Sequence, residues 1–157
     1  MTMIHPTEES RAKEFLGRVG RIQRRIKWKK AQVEQLRELS TGCSAQISDM
    51  SRSASPNLQR LEMLVCKIAD MDAEIKRDEV ALADAKIDVA LMICRIPNAA
   101  QQQVLTERYI NMRSWNAIAE ETGFSNSYVY RLHENALCAV ESRLAMEAID
   151  CAHDECS

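Results

Sequence analysis

The chain has 157 residues, 46% of them hydrophobic but only 4% aromatic, and a formal net charge of −2. That length holds one domain or two small ones, and the scarcity of aromatic residues excludes a large aromatic-rich core. With 4 Gly and 3 Pro in the whole chain, punctuation is sparse, which predicts an all-α fold of long, uninterrupted helices.

The near-neutral charge conceals a segregation. Residues 1–39 carry ten Lys/Arg against five Asp/Glu, whereas residues 141–157 carry one Arg against five acids. Opposite ends therefore present different surfaces to a partner. The six cysteines, Cys43, Cys66, Cys94, Cys138, Cys151 and Cys156, follow no framework spacing, so reduced thiols in a cytoplasmic protein are expected. No apolar signal core follows Met1, and nowhere do eighteen apolar residues run together. Secretion and membrane spanning are not expected.

A first helix is expected over residues 7–39, opened by Thr7 as cap and by the acids Glu8 and Glu9. Phe15, Val19, Ile22, Ile26, Val33 and Leu36 recur at heptad steps, with Lys29 the one polar member of the seam. Gly17 and Gly20 weaken it by about 1 kcal/mol each, which predicts a kink or a start only near Gly20. Residues 40–56 hold six serines and no apolar period, and are read as a flexible linker.

The most regular pattern spans residues 57–96. Leu61, Leu64, Ile68, Met71, Ile75, Asp78, Leu82, Ala85, Val89, Met92 and Ile96 alternate steps of three and four, and only Asp78 breaks the seam. Such a helix needs a partner, and the first helix folded back antiparallel would make a coiled-coil hairpin over residues 1–96. The first helix being shorter, part of the second seam is expected to stay uncovered and to drive self-association, with a homodimer the expected form. Asp78 then either sets the register of that dimer or turns outward where the period drifts.

Pro97 ends the long helix and Asn98 caps the next, which runs to about Ile110. Over residues 104–137 two apolar-periodic segments flank Thr122-Gly123-Phe124, the make-up of a helix-turn-helix within a domain of residues 97–150. Ala119 is small where the helices cross, and Gly123 supplies the positive φ of the turn. Ile118, Phe124, Val129 and Leu132 fill the wedge, while Ser114 and Ser125 stand as N-caps. Residues 151–157 are read as an acidic tail.

In this motif the second helix enters the major groove with its N-terminal residues toward the bases. The outward positions are Ser125, Asn126, Ser127, Tyr130, Arg131 and Glu134. Asn126 has the donor and acceptor pair for adenine, Arg131 for guanine or a phosphate, and Glu134 accepts from cytosine N4. Arg113, Ser114, Arg18, Arg21, Arg24 and Arg25 are candidate phosphate contacts. Residues 99–140 nevertheless hold three Arg against four Glu, so this module alone is expected to bind duplex weakly. The basic run from Arg18 to Lys30, interleaved by Trp28, either lies along DNA or an acidic protein surface, or pairs with Asp70, Asp72, Glu74 and Glu79 on the long helix. His133 is read as a surface or interhelix residue.

Cys151, His153 and Cys156 are possible zinc ligands but fall short of a four-ligand set, so no metal is expected. Neither a phosphate-cradling Gly-rich loop nor H-E-x-x-H nor a nucleophile elbow occurs. No enzyme, cofactor or small-molecule substrate is expected. A helix-turn-helix used only for trihelical packing or protein docking remains the alternative.

Arg108-Tyr109-Ile110, Ser114-Trp115, Ile118-Ala119-Glu120, Gly123-Phe124-Ser125 and Val129-Tyr130-Arg131-Leu132-His133 resemble a family of phage and prophage proteins. These are the sigma-like late transcription regulators of the ArpU and RinA type, which carry a sigma-factor region-4-like helix-turn-helix. The resemblance implies binding of double-stranded DNA near promoters and cooperation with RNA polymerase in late phage transcription. It places Ser125, Asn126, Ser127, Tyr130 and Arg131 on the recognition surface. The chain departs from the family at Asn126 and Ser127, where basic residues are common, and at Met112, a turn position often held by Gly. A small-terminase-like packaging adaptor is the second expectation, and docking on RNA polymerase without DNA the third.

Overall fold

The computed structural model describes residues 10–48 and 56–154, and every element among them is helical. In chain order these are α1 (Arg11–Ser48), α2 (Pro56–Cys94), α3 (Ala99–Leu105), a π-helical turn (Thr106–Ile110), α4 (Trp115–Thr122) and α5 (Asn126–Asp154). The chain is all-α, as its composition predicts. It divides into two units: the described residues up to Arg21 together with those from Asp84 onward, and the stretch Ile22–Ala83.

In the Ile22–Ala83 unit, α1 and α2 bury the two seams read from the sequence. Ile26, Val33, Met71 and Ile75 are buried together, with Ile22, Leu36, Ile68 and Leu82 packed around them. The helices are antiparallel, because partners descend along α2 as α1 ascends. Arg25 pairs with Asp78 at 2.7 Å, Lys29 with Glu74 at 2.9 Å, and Arg37 with Asp72 at 3.1 Å.

Asp78 fits neither reading made of it. It is buried inside the seam, accepting from Arg25 Nε and Nη2 at 3.1 and 2.7 Å and from Lys29 Nζ at 2.9 Å. The two polar breaks in the two seams face each other, so a buried charge is compensated where it arises. Hydrogen bonds from Arg25 and then Lys29 hold the Asp78 carboxyl below its usual range, against the opposing effect of burial.

Three boundaries differ from expectation. First, α1 does not stop at residue 39 but continues to Ser48, taking half of the supposed linker with it. Serine and threonine cost only a few tenths of a kcal/mol each in a helix, and Thr41 Oγ1 returns a hydrogen bond to the Arg37 carbonyl at 3.0 Å. Leu39 and Cys43 also keep an apolar cleft with Met63 and Leu64 of α2. Linker residues 49–55 and residues 7–9, with the Thr7 cap, lie outside the described residues, and Pro56, read as the linker's last residue, opens α2. Second, α1 runs through Gly17 and Gly20 without a break. Fully buried Leu16 and Val19 beside them supply packing that outweighs the local propensity. Third, α5 reaches Asp154, four residues past the expected domain end. At 38 and 39 residues α1 and α2 are nearly equal, so the length difference expected between them is absent.

In the other unit, the start of α1 is capped from far along the chain. Glu141 Oε2 of α5 accepts from Ser10 Oγ at 2.7 Å and from the Ala12 N–H at 2.9 Å. These two bonds, Ser10 first, hold the Glu141 carboxyl below its ordinary value. α2 ends before Pro97, and the Asn98 side chain accepts from Gln101 N at 3.1 Å to open α3. The last turn of that helix widens to a π turn, with Asn111 N reaching back five residues to Thr106 O at 3.0 Å.

Candidate nucleic-acid interface

Each local signal read around Gly123 has its structural counterpart. Ser114 Oγ accepts from Ala117 N at 3.3 Å to open α4, and Ser125 Oγ accepts from Tyr128 N at 3.3 Å to open α5. Gly123 closes α4 at φ 71°, in the left-handed region where a side chain would strain the backbone. Thr122 adds a clip: its Oγ1 donates to Ile118 O at 2.7 Å and accepts from Phe124 N at 3.4 Å. Val104, Ile118, Val129 and Leu132 are buried together, covered by Trp115, Ala119, Phe124 and Tyr128. The angle between α4 and α5 is thus set by a packed apolar wedge spanning α3, α4 and α5.

That wedge consumes one side of α5 and leaves the other free. Ser125, Asn126, Ser127, Tyr130, Arg131 and Glu134 are all exposed, whereas Val129, Leu132, His133, Ala136 and Leu137 are buried. Tyr130 leans on Trp115 with ring centroids 4.9 Å apart, and the Arg131 guanidinium lies 5.0 Å from the Tyr128 ring centre. Both are therefore held at defined positions on the free face by aromatic neighbours.

Behind this face lies a polar and aromatic cluster that sequence reasoning did not assemble. His133 is buried, with Nε2 2.9 Å from the Tyr109 hydroxyl and Nδ1 3.6 Å from Glu134. Its ring meets Trp115 edge-on at 4.8 Å, and the Arg108 guanidinium covers the Trp115 ring at 4.5 Å. Burial pushes the His133 pKa down and the Tyr109 pKa up. A neutral imidazole accepts from the Tyr109 O–H and leaves its Nδ1–H turned toward the Glu134 carboxylate. His133 is an interhelix residue, one of the two readings given to it. Partners 24 positions apart on different helices leave no periodic trace for sequence reading to find.

The candidate phosphate contacts are mostly occupied. Arg113 is paired with Glu107 at 3.0 Å and with Glu121, and Ser114 is spent on its cap. Arg18 pairs with Asp88, Arg25 with Asp78, and Arg21 donates to the Glu14 carbonyl at 2.9 Å. Arg24 is exposed and makes no ion pair among the described residues. Lys29 and Lys30 hold Glu74, Asp78 and Glu79. The basic run thus spends much of its charge on α2: of the acids expected to pair with it, Glu74 and Glu79 do, Asp72 pairs with Arg37 beyond the run, and Asp70 makes no ion pair among the described residues, while Asp78 and Asp88 had not been anticipated. Trp28 stands 61% exposed.

Among the described residues no cluster of His, Cys, Asp and Glu could hold a metal, and no helix is long and apolar enough to cross a membrane. The side chains of Cys151, His153 and Cys156 lie outside the described residues. No protein family, no curated protein and no solved structure matches this chain.

Proposed function

We propose that this chain is a sequence-specific DNA-binding transcription regulator, using α4 and α5 as a helix-turn-helix of the sigma region-4 kind. The observation that carries the reading is the free face at the start of α5, where six hydrogen-bonding side chains stand exposed beside a rigid, capped turn. In such a motif this end of the second helix points into the major groove. Asn126 then reads adenine through N6 and N7, Arg131 reads guanine or holds a phosphate, and Glu134 accepts from cytosine N4. The resemblance to phage late regulators suggests promoter-proximal sites and RNA polymerase as the working partner.

The test is fluorescence anisotropy with duplex fragments of the genome that encodes the chain, across a salt series. Binding should weaken as salt rises, by a slope of about 0.9 per neutralised phosphate. With Arg113 already paired, that slope should be shallow. Arg131→Ala should cost about 1–3 kcal/mol in affinity for the preferred duplex. Absence of salt-sensitive binding to any fragment overturns the proposal.

One observation favours a second reading. The pairing of Arg113 with Glu107 and Glu121 compensates a positive charge just ahead of α4, which suits docking on a protein better than on phosphate. Binding of the purified chain to purified RNA polymerase without DNA, lost on Tyr130→Ala, would support it. A packaging adaptor would instead assemble as a ring, which a mass measurement separates from a dimer.

A further inference from the structure

Helix α2 has a second apolar stripe on the side away from α1. Successive side chains turn by about 100°, so Met71, Ile75, Asp78 and Leu82, which meet α1, gather on one side and Val80 falls opposite. Val80 is 64% exposed and Ile87 and Leu91 are each 57% exposed. Traced toward the N-terminus, the same line carries Lys76, Ala73 and Ala69, all exposed, with Asp84 between Val80 and Ile87. Lys76 and Asp84 take no part in the ion pairs that join α1 to α2. Since α2 is one unbroken helix from Pro56 to Cys94, this register belongs to the helix itself.

The stripe is polar in its layout: large apolar side chains occupy its C-terminal half and alanines its N-terminal half, with a cation and an anion placed symmetrically about Val80. We infer that it is a self-complementary dimer interface, occupied by the same stripe of a second copy running antiparallel, with the twofold axis at Val80. In that register Val80 meets Val80, and Lys76 of each copy faces Asp84 of the other. Ala73 faces Ile87, and Ala69 faces Leu91. Small opposite large lets two helices approach closely, and opposite charges facing twice by symmetry fix the register. Sliding one copy by a heptad destroys both matches. In one direction Lys76 faces Leu91, and in the other it faces Arg77, a like charge. Parallel pairing fails too, because Lys76 then lies against Lys76 and Asp84 against Asp84. The complementarity selects a second copy over an unrelated amphipathic helix, because each element of the stripe finds its counterpart on the stripe itself. The inference is independent of DNA binding.

Sedimentation velocity of the full chain over a concentration series tests it. The native chain should be a dimer that dissociates reversibly on dilution. Val80→Glu sets two carboxylates face to face and should give a monomer of unchanged helical circular dichroism, since the residue touches no part of the α1 seam. Lys76→Asp and Asp84→Lys should each raise the dissociation constant on the order of tenfold or more by placing like charges opposite each other. The chain carrying both changes should recover the dimer, which a merely structural role for either residue would not produce. A native chain that stays monomeric or forms a ring overturns the inference. So does a dimer that survives Val80→Glu, or a double exchange that fails to restore association.

Discussion

Gly123 sets the turn that presents α5, and replacing it isolates one energy term. Its φ of 71° is left-handed, and a Cβ added there would meet no heavy atom within 4 Å. Gly123→Ala therefore introduces no collision, and its effect comes from the backbone alone. Holding an L-residue in this conformation costs about 1–2 kcal/mol. The reduced freedom of alanine in the unfolded chain offsets a part of that, about 0.4–1 kcal/mol. A net loss of about 1 kcal/mol is expected, which lowers Tm by about 2–4 °C in a protein of this size. Gly123→Asn, whose short polar side chain tolerates the left-handed region, should recover most of the difference. Urea unfolding followed by circular dichroism measures all three chains on one scale. A loss beyond about 3 kcal/mol for alanine would refute this account, as would asparagine performing no better than alanine. Either outcome requires a steric clash that the geometry lacks.

Met112 presents the converse case: it holds φ 56° without being glycine and is 37% exposed. Met112→Gly should relieve left-handed strain and, after the extra freedom of the unfolded chain is subtracted, raise stability by up to about 1 kcal/mol in the same urea assay. His133, whose pKa is lowered by burial, binds its proton more readily in the unfolded chain, so stability should fall as pH drops below the unfolded value of about 6.5 toward the folded one. Unfolding at pH 7.5 and 5.5 should show that loss in the native chain and a smaller one in His133→Gln; equal losses would mean that Glu134 or another group carries the effect. Asp78, with its pKa lowered, contributes stability that is complete above an unfolded value of about 3.9 and disappears as pH falls through the folded value. Asp78→Leu alone should destabilise by taking the shared acceptor from Arg25 and leaving Glu74 as the one partner of half-buried Lys29, while Asp78→Leu with Lys29→Leu should regain most of the loss, as thermal melts of the two variants would reveal.

The elements easiest to read from residues were those whose physics is local or periodic. The seams of α1 and α2 follow from heptad spacing. Ser114, Ser125, Asn98 and Gly123 declare caps and turn because each acts on backbone within a few positions of itself. What escaped reading depends on partners distant in sequence. Lys29 and Asp78 each look like a defect within their own helix, and only the antiparallel register makes them a pair. The continuation of α1 to Ser48 was hidden by serines, whose low helix propensity amounts to only a few tenths of a kcal/mol each. The π turn over Thr106–Ile110 has no compositional mark at all. The free face of α5 was legible because the wedge residues are legible: once Val129 and Leu132 face inward, the helix period assigns Asn126, Ser127, Tyr130, Arg131 and Glu134 outward.

The Glu141 cap carries a consequence for the order in which the chain folds. Its acceptor stands 131 positions after the Ser10 that it bonds, so the Ala12 N–H stays uncapped until α5 has docked, although the Glu14 N–H closes the first turn on the Ser10 carbonyl at 3.1 Å. The start of α1 therefore waits for a helix far along the chain to complete its cap. Residues 11–21 belong to the unit that holds α5 and not to the Ile22–Ala83 pair into which they continue. A chain cut short before Glu141 would carry an α1 whose first turn has lost this cap. Hydrogen exchange should then find the Ala12 amide protected in the full chain and unprotected in the truncated one, while protection around Ile26 and Val33 persists in both.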